Sequence, residues 1–274
     1  MPKKKLLPSR EEPPVEKRPR NGHSFFDVQP SWTGTAPSTS SQRVGQWLCD
    51  EPHKKCIPAQ DHNFTENINW RIFRIMAEFV EGFEFLSHLR REVTCFGSAR
   101  VASDDPHYQL AKKLGFLCGK AGYTVITGGG PGIMEAANWG AYESGGESVG
   151  LDIALPMEQR RNQYVKKGKG FHYFFTRKVM LSASAQAYVY FPGGFGTLDE
   201  LFEVIVLIQT RKMSDQVPVI LVGKKFWQPL IVWARDTLWR EHHFIEQEDV
   251  KLFHMVDTAE EAFEIIKKTK ERTL

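Results

Sequence analysis

The sequence has no long hydrophobic run, few cysteines and no dominant charge. No stretch of about 18 apolar residues occurs, so we expect no membrane span. The N-terminus also lacks the apolar middle of a signal peptide. Its 36 basic and 33 acidic side chains leave a net charge of +3, too little for the whole molecule to attract nucleic acid. Since the 4 scattered cysteines do not resemble a disulfide framework, we expect a cytoplasmic protein without a membrane or nucleic-acid partner.

Residues 1–60 lack the periodic apolar pattern of a packed domain. The first 20 residues are rich in Lys, Arg and Pro, which favours a solvated tail over a nucleic-acid or membrane tether. Cys49, His53, Cys56 and His62 have the donor types of a tetrahedral zinc site, but their spacing is not that of a standard zinc finger. We predict a tail and connector over 1–60 and a packed domain over 61–274, and metal binding by these four donors stays open.

A long amphipathic helix is predicted over residues 63–90. Asn63 and Glu66 have capping-box spacing at its start. Apolar residues then recur at helical intervals at Trp70, Phe73, Met76, Val80, Phe83 and Leu86. A stripe of this length is typical of a helix that covers a core or a subunit interface.

After this helix, short apolar runs alternate with helical stretches, which predicts an α/β fold over 93–274. The arrangement is a Rossmann-like, doubly wound, mostly parallel sheet flanked by helices, with the long helix added at its N-terminal side. Ligands of such sheets bind at the carboxyl ends of the strands. The predicted strands are VTCF (93–96), YTVI (123–126), SVGLDI (148–153), FHYFF (171–175), AYVYF (187–191), VPVILV (217–222) and LFHMV (252–256).

Two strand-to-helix loops are rich in glycine. In TGGGPGIMEAAN (127–138) and FPGGFGTLDE (191–200), glycines leave backbone amides free at a helix start, where an anion is also favoured by the helix dipole. One such loop is as well explained by a tight turn, but two in one sheet favour a nucleotide or sugar phosphate. Neither loop is followed by the Lys-Ser or Lys-Thr of a P-loop, and neither matches the dinucleotide fingerprint, so an NTPase or a dehydrogenase is a minor alternative.

Charged residues accompany these loops. We place Asp199 and Glu200 in the first turn of a helix that starts near Thr197, where the dipole favours ionised carboxylates. Asp199 is adequately explained by that dipole, whereas Glu200 is placed to approach the sugar of a bound nucleotide. Arg177 and Lys178 begin another helix, and a base there is favoured when an anion binds nearby. A surface cation is the competing interpretation.

The combination of GGGPGIMEAAN, RKVML and PGGFGTLDELFEV closely resembles the LOG (Lonely guy) family of cytokinin-activating phosphoribohydrolases, often mislabelled as lysine decarboxylases. The resemblance runs from about Val93 to the C-terminus, and the family motif PGGxGTxxE is complete from Pro192 to Glu200. The segments LPMEQRRNQYV and LFEVIVLIQT, with the long preceding helix, are similar to the larger bacterial-type branch.

The resemblance implies hydrolysis of the N-glycosidic bond of a nucleoside 5′-monophosphate, such as a cytokinin riboside monophosphate or AMP, to a free base and ribose 5-phosphate. It implies Arg177 and Glu200 as catalytic residues, Glu158 as a pocket acid, and a homodimer or higher homo-oligomer. No metal and no cofactor is required. The predicted substrate-binding residues are Gly128, Gly129, Gly130, Gly132, Glu135, Glu158, Lys178, Gly193, Gly194, Gly196 and Thr197.

Two departures from the family pattern leave the choice of base open. Val206 stands where the family often has Thr, and Met157 stands where related sequences commonly have His. Two rival classes also remain: a nucleotide or molybdenum-cofactor carrier of the same fold, and an interaction protein that uses the basic tail and the long helix. No lysine lies in a convincing pyridoxal-phosphate setting, so a decarboxylase is disfavoured.

Overall fold

The computed structural model of the chain describes residues 68–153 and 161–272. These residues form one seven-stranded sheet with helices on both faces. The strands are β1 (Glu92–Phe96), β2 (Thr124–Thr127), β3 (Glu147–Ile153), β4 (Lys167–Phe171), β5 (Ala187–Tyr190), β6 (Val219–Val222) and β7 (Phe253–Val256). The helices are α1 (Ile68–Ser87), α2 (Pro106–Lys120), α3 (Ile133–Glu143), α4 (Phe174–Ala183), α5 (Phe195–Gln209), α6 (Lys224–Trp233), which continues as a π-helical segment over Ala234–Glu241, and α7 (Ala259–Ile266).

All neighbouring strands pair in parallel, in the order β4-β3-β2-β1-β5-β6-β7. The chain builds the sheet outward from β1 to β4 and then returns to add β5 on the other side of β1. The predicted doubly wound, parallel α/β fold is therefore confirmed. The strand order reverses between β1 and β5, and a crevice at the carboxyl ends of such strands is where this architecture binds ligands.

Burial of the central strands on both faces explains their apolar sequences. Every residue of β1, β2, β5 and β6 is buried. The core consists of two apolar clusters, one of which includes Leu151, Met180 and Trp227, and the other Val93, Leu114 and Ile133. A parallel sheet covered by helices on both sides requires such continuous apolar strands, because neither face meets water.

The edge strand β4 differs from the prediction. FHYFF (171–175) was predicted as a strand, but the strand is KGKGF (Lys167–Phe171), and Phe174 already begins α4. At the edge of the sheet most of β4 is only partly covered, so its lysines and glycines are tolerated and its sequence has no apolar run. The apolar FHYFF instead ends β4 with Phe171 and then supplies the turn into α4 and its first residues.

Helix α1 is confirmed as an amphipathic helix, although its apolar stripe is not all core. Its buried residues are Glu78, Gly82 and Leu86, and Gly82 brings α1 close to Met180 of α4. The other stripe residues are exposed on this chain: Trp70, Phe73, Met76, Val80 and Phe83. Of the two predicted roles, covering a core applies only to Leu86, and a subunit interface remains a prediction. Asn63 and Glu66 lie outside the described residues.

Two glycines allow α2 and α3 to pack with their backbones in contact. A Cβ added at Gly140 would overlap with the carbonyl oxygen of Lys112 and lie 2.6 Å from the backbone nitrogen of Phe116. A Cβ at Gly115 would lie 3.0 Å from the carbonyl carbon of Ala137. Because backbone atoms cannot rotate away as side chains do, these positions require glycine.

We expect Gly140→Ala to lower the free energy of unfolding by at least about 2 kcal/mol, because the methyl group would force α2 and α3 apart. Gly196→Ala is the matched control, since a Cβ there meets nothing within 4 Å. Urea denaturation of both variants measures the difference. Equal stability of Gly140→Ala and the wild type would contradict this account of the packing.

Candidate active site

A cleft of about 700 Å³ opens at the carboxyl edge of the sheet, where the strand order reverses. Its walls come from the β1–α2 loop, the first glycine loop, the end of β3, the start of α4 and the second glycine loop. This volume falls within the range of cavities that hold small molecules and nucleotides. The lining residues are Phe96, Gly97, Ser98, Ala99, Arg100, Gly128, Met134, Ile153, Phe174, Arg177, Gly194, Phe195, Gly196, Thr197 and Glu200.

The second glycine loop presents open backbone to this cleft. Helix α5 begins with Gly194 as its N-cap, and no side chain caps it. A Cβ at Gly194 or Gly196 would meet no atom within 4 Å, whereas one at Gly193 would overlap with the side chain of Thr197. An uncapped helix start with bare backbone beside a cavity has the free amides and the dipole that an anion requires.

The position of the acidic pair corrects the sequence-based prediction. Helix α5 starts at Phe195, two residues before the predicted Thr197, so its first turn contains no acid. Asp199 and Glu200 therefore lie in the second turn. Asp199 forms a 2.7 Å ion pair with Lys178 of α4, so its role is explained by this partner rather than by the helix dipole.

Lys178 was predicted to bind substrate, but in the structure its ammonium contacts carboxylates of α5. Besides Asp199, its ammonium lies 4.0 Å from the carboxylate of Glu203. Lys178 does not contribute to the wall of the large cleft. In the described residues this lysine links α4 to α5, and direct contact with substrate stays a prediction.

Arg177 and Glu200 face each other in the cleft. The guanidinium Nη2 lies 3.7 Å from Glu200 Oε1, and each side chain is 17% exposed. This distance is too long for a hydrogen bond, and the buried Arg177 Nε has no hydrogen-bond partner among the described residues. Buried donors are normally satisfied, so a guanidinium left in this state fits a site completed by a ligand.

Burial shifts both groups toward their neutral forms. Burial raises the pKa of Glu200 to about 7, with Asp199 adding to the rise and Arg177 and Lys178 opposing it. Burial likewise lowers the pKa of Arg177, against the attraction of Glu200 and Asp152. Glu200 lies past the first turn of α5, so the helix dipole favours its ionised form less than expected, and desolvation outweighs the nearby charges.

The first glycine loop is shaped more by packing than by a ligand. Gly132 has a φ of 68°, and a Cβ there would lie 2.8 Å from the carbonyl carbon of Ala99. The amide of Gly129 donates to Thr127 Oγ1 at 2.9 Å, and Ile133 N donates to the carbonyl of Ser98 at 3.1 Å. The expectation that these amides point at an anion is thus wrong for these two groups.

Among the other residues predicted in this loop, only Gly128 reaches the cleft wall. The carbonyl oxygen of Gly130 accepts a hydrogen bond from Asn162 Nδ2 at 3.0 Å. Glu135 lies in the first turn of α3 and is not part of the cleft wall.

Asn162 holds the first glycine loop in place through hydrogen bonds, and it was not predicted from the sequence. Its Nδ2 contacts the carbonyl oxygens of Gly129 at 3.1 Å and Gly130 at 3.0 Å, and Asn138 Oδ1 at 3.0 Å. Nearby, Arg161 forms a 2.7 Å ion pair with Asp152 near the end of β3. The only sequence signal is their place in LPMEQRRNQYV, since contacts between residues so far apart in the chain leave no periodic pattern.

Several predicted residues lie outside the described part of the chain. They include Glu158 and Met157, and the metal-ligand candidates Cys49, His53, Cys56 and His62. Within residues 68–153 and 161–272, no group of three or more His, Cys, Asp or Glu is arranged to hold a metal ion. No helix in the same ranges has the length and apolar character needed to cross a membrane.

Ser98 and Arg100 were also missed. They follow β1 directly, and Arg100 N donates to Ser98 Oγ at 3.1 Å. Ser98 N donates to the carbonyl of Pro192 at 3.1 Å, which ties this loop to the second glycine loop. Their position after the strand beside the reversal point was the available signal, because that loop must border the crevice.

Comparison with known proteins places this site in a family. A family profile described as "Possible lysine decarboxylase" matches residues 134–266, which include Arg177 and the whole second glycine loop. The cytokinin riboside 5′-monophosphate phosphoribohydrolase of Rhodococcoides fascians is 24% identical over 144 residues, 52% of this chain and 72% of that protein. Over these residues the chain matches the LOG family.

Two further LOG relatives match over similar regions. The cytokinin riboside 5′-monophosphate phosphoribohydrolase LOG of Oryza sativa subsp. japonica is 28% identical over 53% of this chain and 60% of that protein. The bifunctional cytokinin biosynthesis protein of Fusarium pseudograminearum is 26% identical over 62% of this chain and 38% of its own length. The match thus spans less than two thirds of these two relatives.

Solved structures share the LOG-type fold. A structural-genomics target designated TM1055, solved by X-ray crystallography, aligns with a TM-score of 0.51 at 27% identity, over 65% of this chain and 99% of that one. The molybdenum cofactor carrier protein MCP of Chlamydomonas reinhardtii aligns with a TM-score of 0.50 at 20% identity, over 65% of this chain and 97% of that one. At this identity the second likeness concerns the fold alone.

The raised pKa of Glu200 predicts a pH-dependent stability. Its folded-state pKa of about 7 exceeds the ordinary value of 4.5, so the folded protein holds an extra proton between these values. We expect the wild type to lose stability relative to Glu200→Gln as pH rises from 4.5 through 7, by up to about 3 kcal/mol. Urea denaturation of both proteins between pH 5 and pH 8 measures this. Parallel curves of stability against pH for the two proteins would contradict a raised pKa of the buried Glu200 carboxyl.

Proposed function

We propose that this LOG-family protein hydrolyses the N-glycosidic bond of nucleoside 5′-monophosphates, with a cytokinin riboside 5′-monophosphate or AMP as substrate. The observation that carries the proposal is the buried pair of Arg177 and Glu200, 3.7 Å apart without a hydrogen bond, beside an uncapped helix start. The names of the relatives from Rhodococcoides fascians and rice support the same reaction class.

In the proposed complex, the substrate phosphate binds at the second glycine loop. The open space at Gly194 and Gly196 admits phosphate oxygens to the backbone amides, and Thr197 in the first turn adds a hydroxyl. The ribose then extends toward Glu200 and the base toward the apolar part of the wall, which includes Met134, Ile153 and Phe174. Charge at one end and apolar surface at the other match the two ends of a nucleotide.

In the proposed reaction, the bond from C1′ to the base nitrogen breaks and its electron pair leaves with the base. The ribose becomes oxocarbenium-like, and the carboxylate of Glu200 stabilises that positive charge. A water oxygen forms the new bond to C1′, Glu200 accepts one of its protons, and the departing base nitrogen gains a proton from solvent. A carboxyl with a pKa of about 7 suits proton transfer near neutral pH.

Arg177 acts in this scheme as a fixed positive charge. A guanidinium remains protonated throughout, so it orients the substrate and does not donate a proton. Its unpaired Nε and the 3.7 Å separation from Glu200 allow a substrate oxygen or nitrogen in the cleft to bond both side chains from one side. The proposed scheme uses no metal ion or other cofactor.

The choice of base depends on the side chains near the apolar part of the cleft wall. Val206 lies exposed on α5 and is not part of the cleft wall, so replacing the family Thr there removes no contact in this chain's cleft. Any effect of Val206 on the base would need a neighbouring subunit. The apolar wall near Phe174 favours a base with an apolar substituent over an unmodified one.

We further propose that the chain assembles as a homodimer or a higher homo-oligomer. Exposed apolar residues on α5 support this proposal: Phe195 is 91% exposed, and Phe202 and Val206 are also exposed. Val80 belongs to a second exposed apolar group, on α1. Apolar groups of this size are normally covered by a partner.

The activity is tested with a panel of nucleoside monophosphates. We expect free base and ribose 5-phosphate from AMP or its isopentenyl derivative, measured by chromatography. Glu200→Ala should lower turnover by at least about 100-fold, since it removes the proton acceptor, while nucleotide binding persists. Glu81→Ala, which removes an exposed acid of α1 outside the cleft wall, is the control.

Two outcomes would contradict this proposal. Normal turnover by Glu200→Ala would remove that residue from the mechanism. Tight nucleotide binding by the wild type without base release from any monophosphate would instead favour a carrier.

The assembly is tested by light scattering. We expect a mass of at least twice the 31.4 kDa of one chain. Phe202→Asp places a charge on α5 and Val80→Asp places one on α1, so a fall in mass with either variant identifies the contact surface. A mass of 31.4 kDa for the wild type at micromolar concentration would contradict the proposal.

A further inference from the structure

A buried carboxylate on α1 contacts the start of the helix that carries Arg177. Glu78 is 8% exposed, in the middle of a helix whose other acids are exposed. Its carboxylate accepts hydrogen bonds from His172 N at 2.8 Å, Tyr173 N at 3.3 Å and Thr176 Oγ1 at 2.6 Å. Three donors from one short segment thus converge on a single side chain from another helix.

This contact replaces a cap that α4 lacks. Tyr173 occupies the N-cap position of α4 and forms no side-chain capping bond. The two amides that donate to Glu78 precede the first helical residue, and the hydroxyl belongs to the first turn. Negative charge at a helix N-terminus is favoured by the dipole, so Glu78 stabilises the start of α4 from outside.

The anchored turn leads directly into the candidate catalytic pair. Arg177 follows Thr176, and its guanidinium lies 3.7 Å from Glu200. A second contact holds the same two helices together, since Gly82 of α1 lets Met180 of α4 approach closely. The position of Arg177 along the cleft is therefore fixed by the seating of α4 on α1.

We propose that Glu78 is a positioning residue: it seats the first turn of α4 against α1 and so sets the distance between Arg177 and Glu200. This inference rests on the proposed function in that it takes these two residues as the catalytic pair. Residues 134–266, which match the family profile, do not include Glu78. The anchor is thus supplied by the helix added before the sheet.

The proposal predicts a change at Glu200, although Glu78 does not touch it. The charged groups that act on Glu200 are Arg177, Lys178 and Asp199. Both cations belong to α4 and oppose the rise of the Glu200 pKa, whereas Asp199 belongs to α5 and adds to it. Desolvation is the largest cause of the raised Glu200 pKa. If the first turn of α4 shifts while the rest of the cleft wall keeps Glu200 desolvated, the carboxyl loses attraction and its pKa rises further.

Glu78→Gln tests this directly, because the amide keeps the size of the side chain but turns one acceptor into a donor facing donors. In protein labelled with δ-¹³C glutamate, NMR titration follows Glu200, identified by the signal missing from Glu200→Gln. We expect the Glu200 pKa to rise by about half a unit or more in Glu78→Gln. Glu81→Gln, on the same helix and paired with Lys169 instead, should leave it unchanged.

Turnover provides a second measurement. We expect Glu78→Gln to lower kcat by about 10-fold with KM changed less than about 3-fold, since the arginine is displaced while the glycine loop still binds phosphate. Glu78→Asp, which retains the charge, should recover part of the loss. If the wild type releases no base, the proposed function fails, but the NMR titration still tests the role of Glu78.

The decisive result is the Glu200 titration in folded protein. An unchanged Glu200 pKa in a folded Glu78→Gln variant would overturn the inference. Should that variant not fold, Thr176→Val removes only one of the three hydrogen bonds and should raise the Glu200 pKa in the same direction by a smaller amount. No shift in folded Thr176→Val would then overturn it.

Discussion

The close but unbonded approach of Arg177 and Glu200 is the constraint that the rest of the cleft serves. Neither group is well solvated, and burial moves both pKa values toward neutrality despite their mutual attraction. A pair that is separated by 3.7 Å gains less from that attraction than a bidentate pair would. Such an arrangement costs stability when empty, and a bound polar ligand between the two side chains would recover it.

Holding two opposite charges apart requires rigid supports on both sides. Glu200 is in the second turn of α5, and its own carbonyl accepts a hydrogen bond from the Tyr190 hydroxyl at 3.1 Å. On the other side, α4 is anchored by Glu78 and linked to α5 through the 2.7 Å pair of Lys178 and Asp199. Lys178 and Asp199, next in sequence to Arg177 and Glu200, therefore link the two helices, which leaves Arg177 and Glu200 facing the cavity.

The order of the strands explains why this support can be built from distant segments. Because β5 is added beside β1, the loops after these two strands meet, and Ser98 N bonds the carbonyl of Pro192 at 3.1 Å. The first glycine loop then packs against the β1 loop through Gly132. Gly132 is needed for this close packing, whereas Gly194 and Gly196 of the second loop face open space. Similar glycine-rich sequences thus allow close packing in the first loop and leave the backbone accessible in the second.

Much of the fold was predictable because parallel strands buried on both faces must be apolar. Apolar runs mark six of the seven strands, including the less buried edge strand β7. Strand β4 was not predictable, since an edge strand of lysine and glycine has no such signature. The start of α5 was placed two residues late, because a glycine N-cap leaves no side-chain signal and the helix begins at Phe195. Local patterns therefore locate elements well, and helix ends less well.

The residues of the candidate site likewise differ in whether a local sequence pattern reveals them. Arg177, Glu200 and the second glycine loop were found because each lies in a compact motif at the end of a strand. Asn162 and Glu78 were not, because they act through hydrogen bonds to backbone groups more than 30 residues away in the chain, 33 in one case and 94 in the other. Backbone carbonyl and amide groups are nearly the same in every residue, so nothing in the sequence marks which residue will be the partner. Candidate catalytic groups can thus be inferred from sequence motifs, whereas the groups that hold them in place require coordinates.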